Sequence, residues 1–358
     1  MGFKPTQNIQ SSAPRPAPVA QFEKEDKWKL ASQLQKAIRH GKIDAAGQAA
    51  LDLAVVDAAY LRYRLSVISV EDMAAGAPDA VIGAFEGGWK KAQIEARGGI
   101  DFLVKTSRLF AASVKDRTPC DMMYCTKFVE DFNALHGPWE DLSWEKASQL
   151  ALDHTQPWWA RALGAWRCAG TDKFQARTAF LPDLPGDWDR WVELNGEAYG
   201  RQAAQLMRIG ENQREHHHVF IGVSMGATDR SLIRPTLPDL PNVGPWLSAA
   251  LDKHTSEGRR AISHMIASNP AGASAMQSHG VSRDDLHDLL GRMWFWLEGA
   301  RCDQEVSHNL SRAIRIDNQE RTLKGLDQSI LLNAFGDPSL WQASRALVMK
   351  IKPPSFRP

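Results

Sequence analysis

Apolar residues fall at helical spacing through most of residues 27–135, and this periodicity decides the fold class. Leu30, Leu34, Ala37 and Ile38 form one stripe, closed by Gly41. Asp44 is placed to cap the next run, in which Ala45, Ala46, Ala49, Ala50, Leu53 and Ala54 are strong helix formers. A third helix is expected over about 57–69, with Tyr60, Leu61, Leu65 and Ile68 on one side and Arg62 and Arg64 off that stripe. Val81, Ile82 and Phe85 mark a fourth, starting near Pro78, and the stretches 100–112 and 119–135 read as two more.

The second half is richer in Trp, Pro and Gly. Short helices are expected at about 143–153 and 157–168, and "FLPDLPGDWDRW" is a turn-rich connector into a helix over about 187–209. "HHHVFIGVSMG" is the one strand candidate, followed by the Pro-rich loop "IRPTLPDLPNVGP". Helices at about 245–267, 282–298, 302–313, 320–333 and 338–350 complete the reading. The expected fold is mostly α: a Pro/Ser/Ala-rich disordered arm (1–25), a helical domain (26–136) and a Trp-rich helical domain (137–358) with at most a short strand. The boundary is placed in a linker near 136–142.

Composition narrows the function classes. The net charge is +1 over 358 residues, so binding to nucleic acid would need a local basic face. No run of 18 apolar residues occurs, so no membrane span is expected, and the N-terminus shows no signal-peptide core. A cytoplasmic location follows as the expectation, with Cys120, Cys125, Cys168 and Cys302 as reduced thiols. The chain has thirteen tryptophans, several of them clustered. They fill seams between helices, form a protein-binding surface, or stack on bases.

One stretch carries a family resemblance. "QLQKAIRHGKIDAAGQAALDLAVVDAAYLRYRLSVISVEDMAAGAP", residues 33–78, orders Lys36-Ala37-Ile38-Arg39, Asp44-Ala45-Ala46, Arg62 and Arg64, Glu71-Asp72, and Pro78. It resembles the C-terminal helical collar of clamp-loader-type AAA+ ATPases of the replication-associated recombination (RarA/MgsA) group. "LVKTSRLFAASVKDRTPCDMMY" (103–124) is similar to that family's later helix pair. The match departs where the family has Gly after Glu-Asp-Ile: here stands Ala74, with Gly76 two places on. No G-x-x-x-x-G-K-[ST] exists anywhere, so no phosphate-cradling loop can form.

The resemblance therefore implies a collar-like N-terminal half without the motor. Its implied role is non-enzymatic assembly in DNA replication or recombination, as a clamp-loader-like subunit of a phage or mobile element. Implied partners are a second copy of the chain, a clamp-loader-type ATPase or another replication protein, with DNA a further candidate and no cofactor. Candidate DNA-binding or interface residues are Lys36, Arg39, Arg62, Arg64, Lys115, Arg117, Arg259 and Arg260, with Glu71, Asp72 and Pro78 as motif residues. The competing reading pairs Lys36, Arg39, Arg62 and Arg64 with Glu71 and Asp72 across packed helices.

Two polar stretches leave enzyme chemistry open. In "REHHHVF", His216 and His218 would share one face of a strand, and in "LDKHTSEGRRAISHM" Asp252 and His254 precede Arg259 and Arg260. Together these residues suit a metal-dependent nuclease or phosphoesterase; otherwise Thr255 or Ser256 caps a helix and the charges are solvated. No CxxC occurs, so a zinc site at Cys120 or Cys125 would need distant histidines, His136 being the nearest. An adaptor that binds a host protein through a Trp-rich surface is the third reading.

Overall fold

In a computed structural model, the described residues are 22–128, 142–169, 188–195, 197–213, 216–227, 229–238, 242–323 and 326–350. The fold is mostly α. The first layer packs α1 (Lys27–Arg39), α2 (Ile43–Ile68) and α5 (Ile100–Ala112) against one another, with α3 (Pro78–Phe85) and the short α4 (Lys91–Ala96) at one end. The long α2 is two helices fused at a kink. Asp57 has extended backbone angles (φ −162°, ψ 90°), and its carboxylate accepts the Tyr60 N–H at 2.9 Å, restarting the helix as a cap does.

Next comes α6 (Thr118–Phe128), then a tight hairpin of α7 (Trp144–Leu152) and α8 (Trp158–Ala169). Where residues 187–209 were expected to form one helix, α9 (Trp188–Asn195) and α10 (Glu197–Asn212) are distinct. The expected strand "HHHVFIGVSMG" is instead a 3₁₀ turn (His216–Phe220) leading into α11 (Ile221–Met225). Strand pairs occur elsewhere: β1 (Ser231–Ile233) with β4 (Glu305–Ser307), and β2 (Asn242–Val243) with β3 (Trp246–Leu247), both antiparallel. The closing helices are α12 (Ser256–Ser268), α13 (Pro270–Ser278), α14 (Arg283–Trp294), α15 (Asn309–Leu323), α16 (Gln328–Phe335) and α17 (Pro338–Lys350).

Two buried clusters hold these elements. The larger runs from Leu30 to Ile314 and continues across position 137, because Trp166, Trp191 and Phe220 pack into the same interior as Leu34, Leu53 and Leu65. The smaller, from Ala261 to Val348, stacks Trp294 on Trp341 at 5.6 Å. The tryptophans therefore serve mainly as core: Trp158, Trp166, Trp191, Trp246, Trp294 and Trp341 are all buried. Of the expected linker at 136–142 and arm at 1–25, residues 136–141 and 1–21 lie outside the described residues, and Lys24–Asp26 form a 3₁₀ turn. No described helix is long and apolar enough to cross a membrane.

The end of α1 is tied to the second half by His40, whose Nε2–H donates to the Glu298 carbonyl at 3.0 Å. Burial holds its pKa at about 4, with Arg39, Lys36 and Lys42 opposing protonation and the Glu298 bond partly offsetting them. The folded pKa is thus depressed below that of the unfolded histidine, near 6.5. As pH falls from about 6.5 to 4 the unfolded chain takes up a proton that the folded chain refuses, and stability drops by roughly 3 kcal/mol. Urea unfolding across that window should show the loss, and His40→Gln should remove this histidine's share of it, leaving that of His254, which burial likewise holds at about 4.

Candidate functional site

Two helices end in π turns, and both turns face the same place. The last turn of α2 widens at Ser69–Met73, which places Glu71 and Asp72; α14 widens at Phe295–Gly299, which places Phe295, Trp296 and Glu298. Such one-residue insertions recur at functional sites because they turn side chains out of the helical register. Between them lie the start of α6, with Arg117, Cys120 and Asp121, and the 3₁₀ turn carrying His217.

The interior of this region is a charge network. Arg39 donates through Nε to Asp72 Oδ1 at 3.0 Å, through Nη1 to the Gly299 carbonyl at 2.9 Å, and through Nη2 to Glu71 Oε1 at 3.3 Å. Arg117 reaches Asp72 at 3.5 Å and Asp121 at 3.3 Å. Gln35 donates 2.9 Å bonds to both Glu71 and Asp72, and itself accepts from Arg64 at 2.9 Å. Lys36 pairs with Asp252 at 2.7 Å, with both side chains 2% exposed. Further out, Lys115 pairs with Asp303 at 2.7 Å, and Arg345 pairs with Glu298 at 2.6 Å.

Burial disfavours the charge on Glu71, but Arg39, with His217, Arg64 and Arg117, overrides it and holds the carboxyl well below the usual range. Burial also pushes the Cys120 thiol well up, and Glu71 adds to the shift. The thiol accordingly donates to Glu71 Oε1, at 3.3 Å. Two cavities flank Glu71, His254 and Phe295. One, of about 320 Å³, opens toward Trp28, Tyr60 and Arg64; the other, of about 190 Å³, toward Cys120, Tyr124, His217, Lys253 and Trp296.

The candidate residues divide by location. Lys36, Arg39, Lys115 and Arg117 are buried and ion-paired, and Arg39 meets Glu71 and Asp72 as the competing reading had it. Lys36 and Arg39 also line the 320 Å³ cavity, and Arg117 the 190 Å³ one. Arg62 and Arg64 line separate cavities. Arg259 is exposed and donates to the Lys253 carbonyl, while Arg260 donates to the Val348 carbonyl. Pro78 opens α3.

Among the described side chains, those of His218, Asp252 and His254 do not form a ligand group. Asp252 gives Oδ2 to Lys36 and Oδ1 to the His254 N–H, and His218 is fully buried beside Gly210. Thr255 caps α12, accepting the Gly258 N–H at 3.0 Å. Gly258 itself is required there, since a Cβ would sit 1.8 Å from the Asp252 carbonyl oxygen. What the described residues do bring together is Glu71, Cys120 and His217, whose ligating atoms all lie within 4.8 Å of one another. The strand reading hid this: period two pairs His216 with His218, whereas a 3₁₀ turn separates successive side chains by about 120°.

A second arrangement lacks the layout of a nucleophilic triad. Ser224 and Asp116 both sit on the Nε2 side of His308, at 3.4 and 3.7 Å, and the hydroxyl donates to Asp116 at 2.8 Å. All three are fully or almost fully buried. A hydrolytic triad needs the base between nucleophile and carboxylate, so this cluster is a polar tie inside the core.

On the outer face lies the largest of these cavities, about 760 Å³, lined by Arg62, Tyr63, Trp89, Lys90 and Lys91. Trp89 is stacked on Phe85 at 4.2 Å and donates its indole N–H to the Arg62 carbonyl. Near it an aromatic row continues along α2 and α1: Tyr63 against Tyr60 at 5.9 Å, and Tyr60 against the exposed Trp28 at 5.4 Å. Sequence reading found Arg62 but not Lys90 and Lys91, which follow a Gly-Gly turn and carry no periodic signal.

No protein-family model matches the chain, and no curated protein or solved structure matches it significantly.

Proposed function

We propose that this chain is a non-enzymatic, nucleic-acid-associated assembly protein, built like a clamp-loader collar without its motor. The observation that carries this reading is the groove of Arg62, Lys90 and Lys91 around Tyr63 and Trp89. Cations in such a groove follow a phosphate backbone, and the exposed Tyr63 ring offers a base a stacking face. The near-neutral net charge is compatible, because the basic residues are local. Exposed Ile43, Val55 and Tyr63 on α2, with Trp28 on α1, supply apolar surface for contact with a second copy or a replication partner.

The nuclease reading draws no support from Asp252 and His254, since Asp252 neutralises Lys36. The Trp-rich adaptor surface is likewise weakened, because most of the described tryptophans are interior.

Anisotropy titrations of a labelled single-stranded oligonucleotide across a salt series test the groove. The triple variant Arg62→Ala, Lys90→Ala, Lys91→Ala should lower the slope of log affinity on log salt by about 2, for three lost phosphate contacts at about 0.7 each. An unchanged slope would sink the nucleic-acid reading. Light scattering after size exclusion reads self-assembly separately, and a strict monomer that captures no replication protein would sink that half.

A further inference from the structure

The geometry points to a zinc-type metal site formed by Glu71, Cys120 and His217, a function separate from the nucleic-acid groove. The three ligands come from three different elements: the π turn ending α2, the first turn of α6, and the 3₁₀ turn before α11. These elements pack on one another, so the donors converge through the fold and not through a short sequence motif. Their ligating atoms lie within 4.8 Å of each other, and Cys120 Sγ is 3.3 Å from Glu71 Oε1. Neighbouring ligands on a tetrahedral zinc ion are about 3.4–3.7 Å apart, given bonds of about 2.0–2.3 Å. A small closure of His217 onto the existing Cys120–Glu71 pair completes three corners.

The donor set selects the metal. One thiolate, one imidazole and one carboxylate suit zinc or cobalt(II); calcium and magnesium take oxygen ligands and would leave the sulfur and nitrogen unmatched. The fourth corner opens on the 190 Å³ cavity beside Tyr124 and Trp296, leaving room for water or a small ligand.

Two cations stand close and must be accommodated. Arg117 Nη2 lies 3.5 Å from Cys120 Sγ, and Arg39 Nη2 lies 3.3 Å from Glu71 Oε1. Each is already matched by a carboxylate that is not a ligand, Asp72 for both and Asp121 for Arg117. They then act as outer donors that orient the thiolate and the carboxylate, as second-layer hydrogen bonds do at metal sites. On binding, the thiol proton leaves to solvent, and the thiolate and carboxylate together balance the dipositive ion.

Titration of the purified full chain with cobalt(II) tests the assignment. One equivalent should produce a thiolate-to-cobalt charge-transfer band together with the intense visible bands of four-coordinate cobalt. The band should vanish in Cys120→Ser and persist in Cys125→Ser. Absence of the band in the unaltered chain, or its survival in Cys120→Ser, overturns the proposal. Should a variant fail to fold, X-ray absorption on the zinc-loaded unaltered chain decides alone. One sulfur among four ligands supports the site, and any other sulfur count removes it.

Discussion

Asp72→Ala is expected to remove about 3–5 kcal/mol of folding stability, enough to leave a marginally stable chain largely unfolded. Asp72 has no solvent exposure and accepts from three donors: Arg39, Arg117 and Gln35. Deleting its carboxylate strands two guanidiniums in a low-dielectric interior. Arg39 keeps Glu71 and the Gly299 carbonyl, and Arg117 keeps Asp121, but both lose their shared acceptor. Asp72→Asn retains an acceptor oxygen and should cost less. Urea denaturation of the three proteins gives the ranking; a loss under about 1 kcal/mol for the alanine variant would show that Asp72 is not the hub.

Lys36→Met is the companion case, with an expected loss of similar size. It leaves Asp252 ionised, 2% exposed and without its 2.7 Å partner. Burial works against the Asp252 charge, and Lys36, with His254, overrides it to hold the carboxyl below its ordinary range. Because the folded pKa is depressed, the pair's contribution is present above about pH 4 and is lost as pH falls through the folded value. Replacing both partners, Lys36→Met with Asp252→Leu, removes the charge and its desolvation together. Most of the stability should return, apart from roughly 1 kcal/mol for the lost bond to the His254 N–H. A double variant no better than Lys36→Met would mean that packing around Gly299, not charge, limits the site.

Much of the helical layer was legible because burial writes a period into the residues. The stripe Leu30–Leu34–Ala37–Ile38 and the break at Asp57 can both be read without a structure. Pairing of Arg39 with Glu71 and Asp72 was open to inspection for a related reason, since helices joined by short turns pack side by side. The partner of Lys36 was hidden. Asp252 lies far along the chain, and nothing local distinguishes it from a helix-capping aspartate. "HHHVFIG" misled because a short apolar run with β-branched residues fits a strand and a tight helical turn equally well. That one misreading paired His216 with His218 and passed over His217, which the fold sets beside Cys120 and Glu71. The strands among the described residues, two or three residues each, are too short to show alternation.

The bond from Arg39 to the Gly299 carbonyl spans 260 residues, and this has a consequence for synthesis. At translation rates of about 5–20 residues per second, that acceptor leaves the ribosome roughly 13–50 s after the arginine. Lys36 waits nearly as long for Asp252. Arg39 can meet Glu71 and Asp72, only 32 and 33 residues on, long before then, whereas its Gly299 contact and the Lys36–Asp252 ion pair wait for the second half. The second half therefore completes a charge network that the first helices begin by themselves.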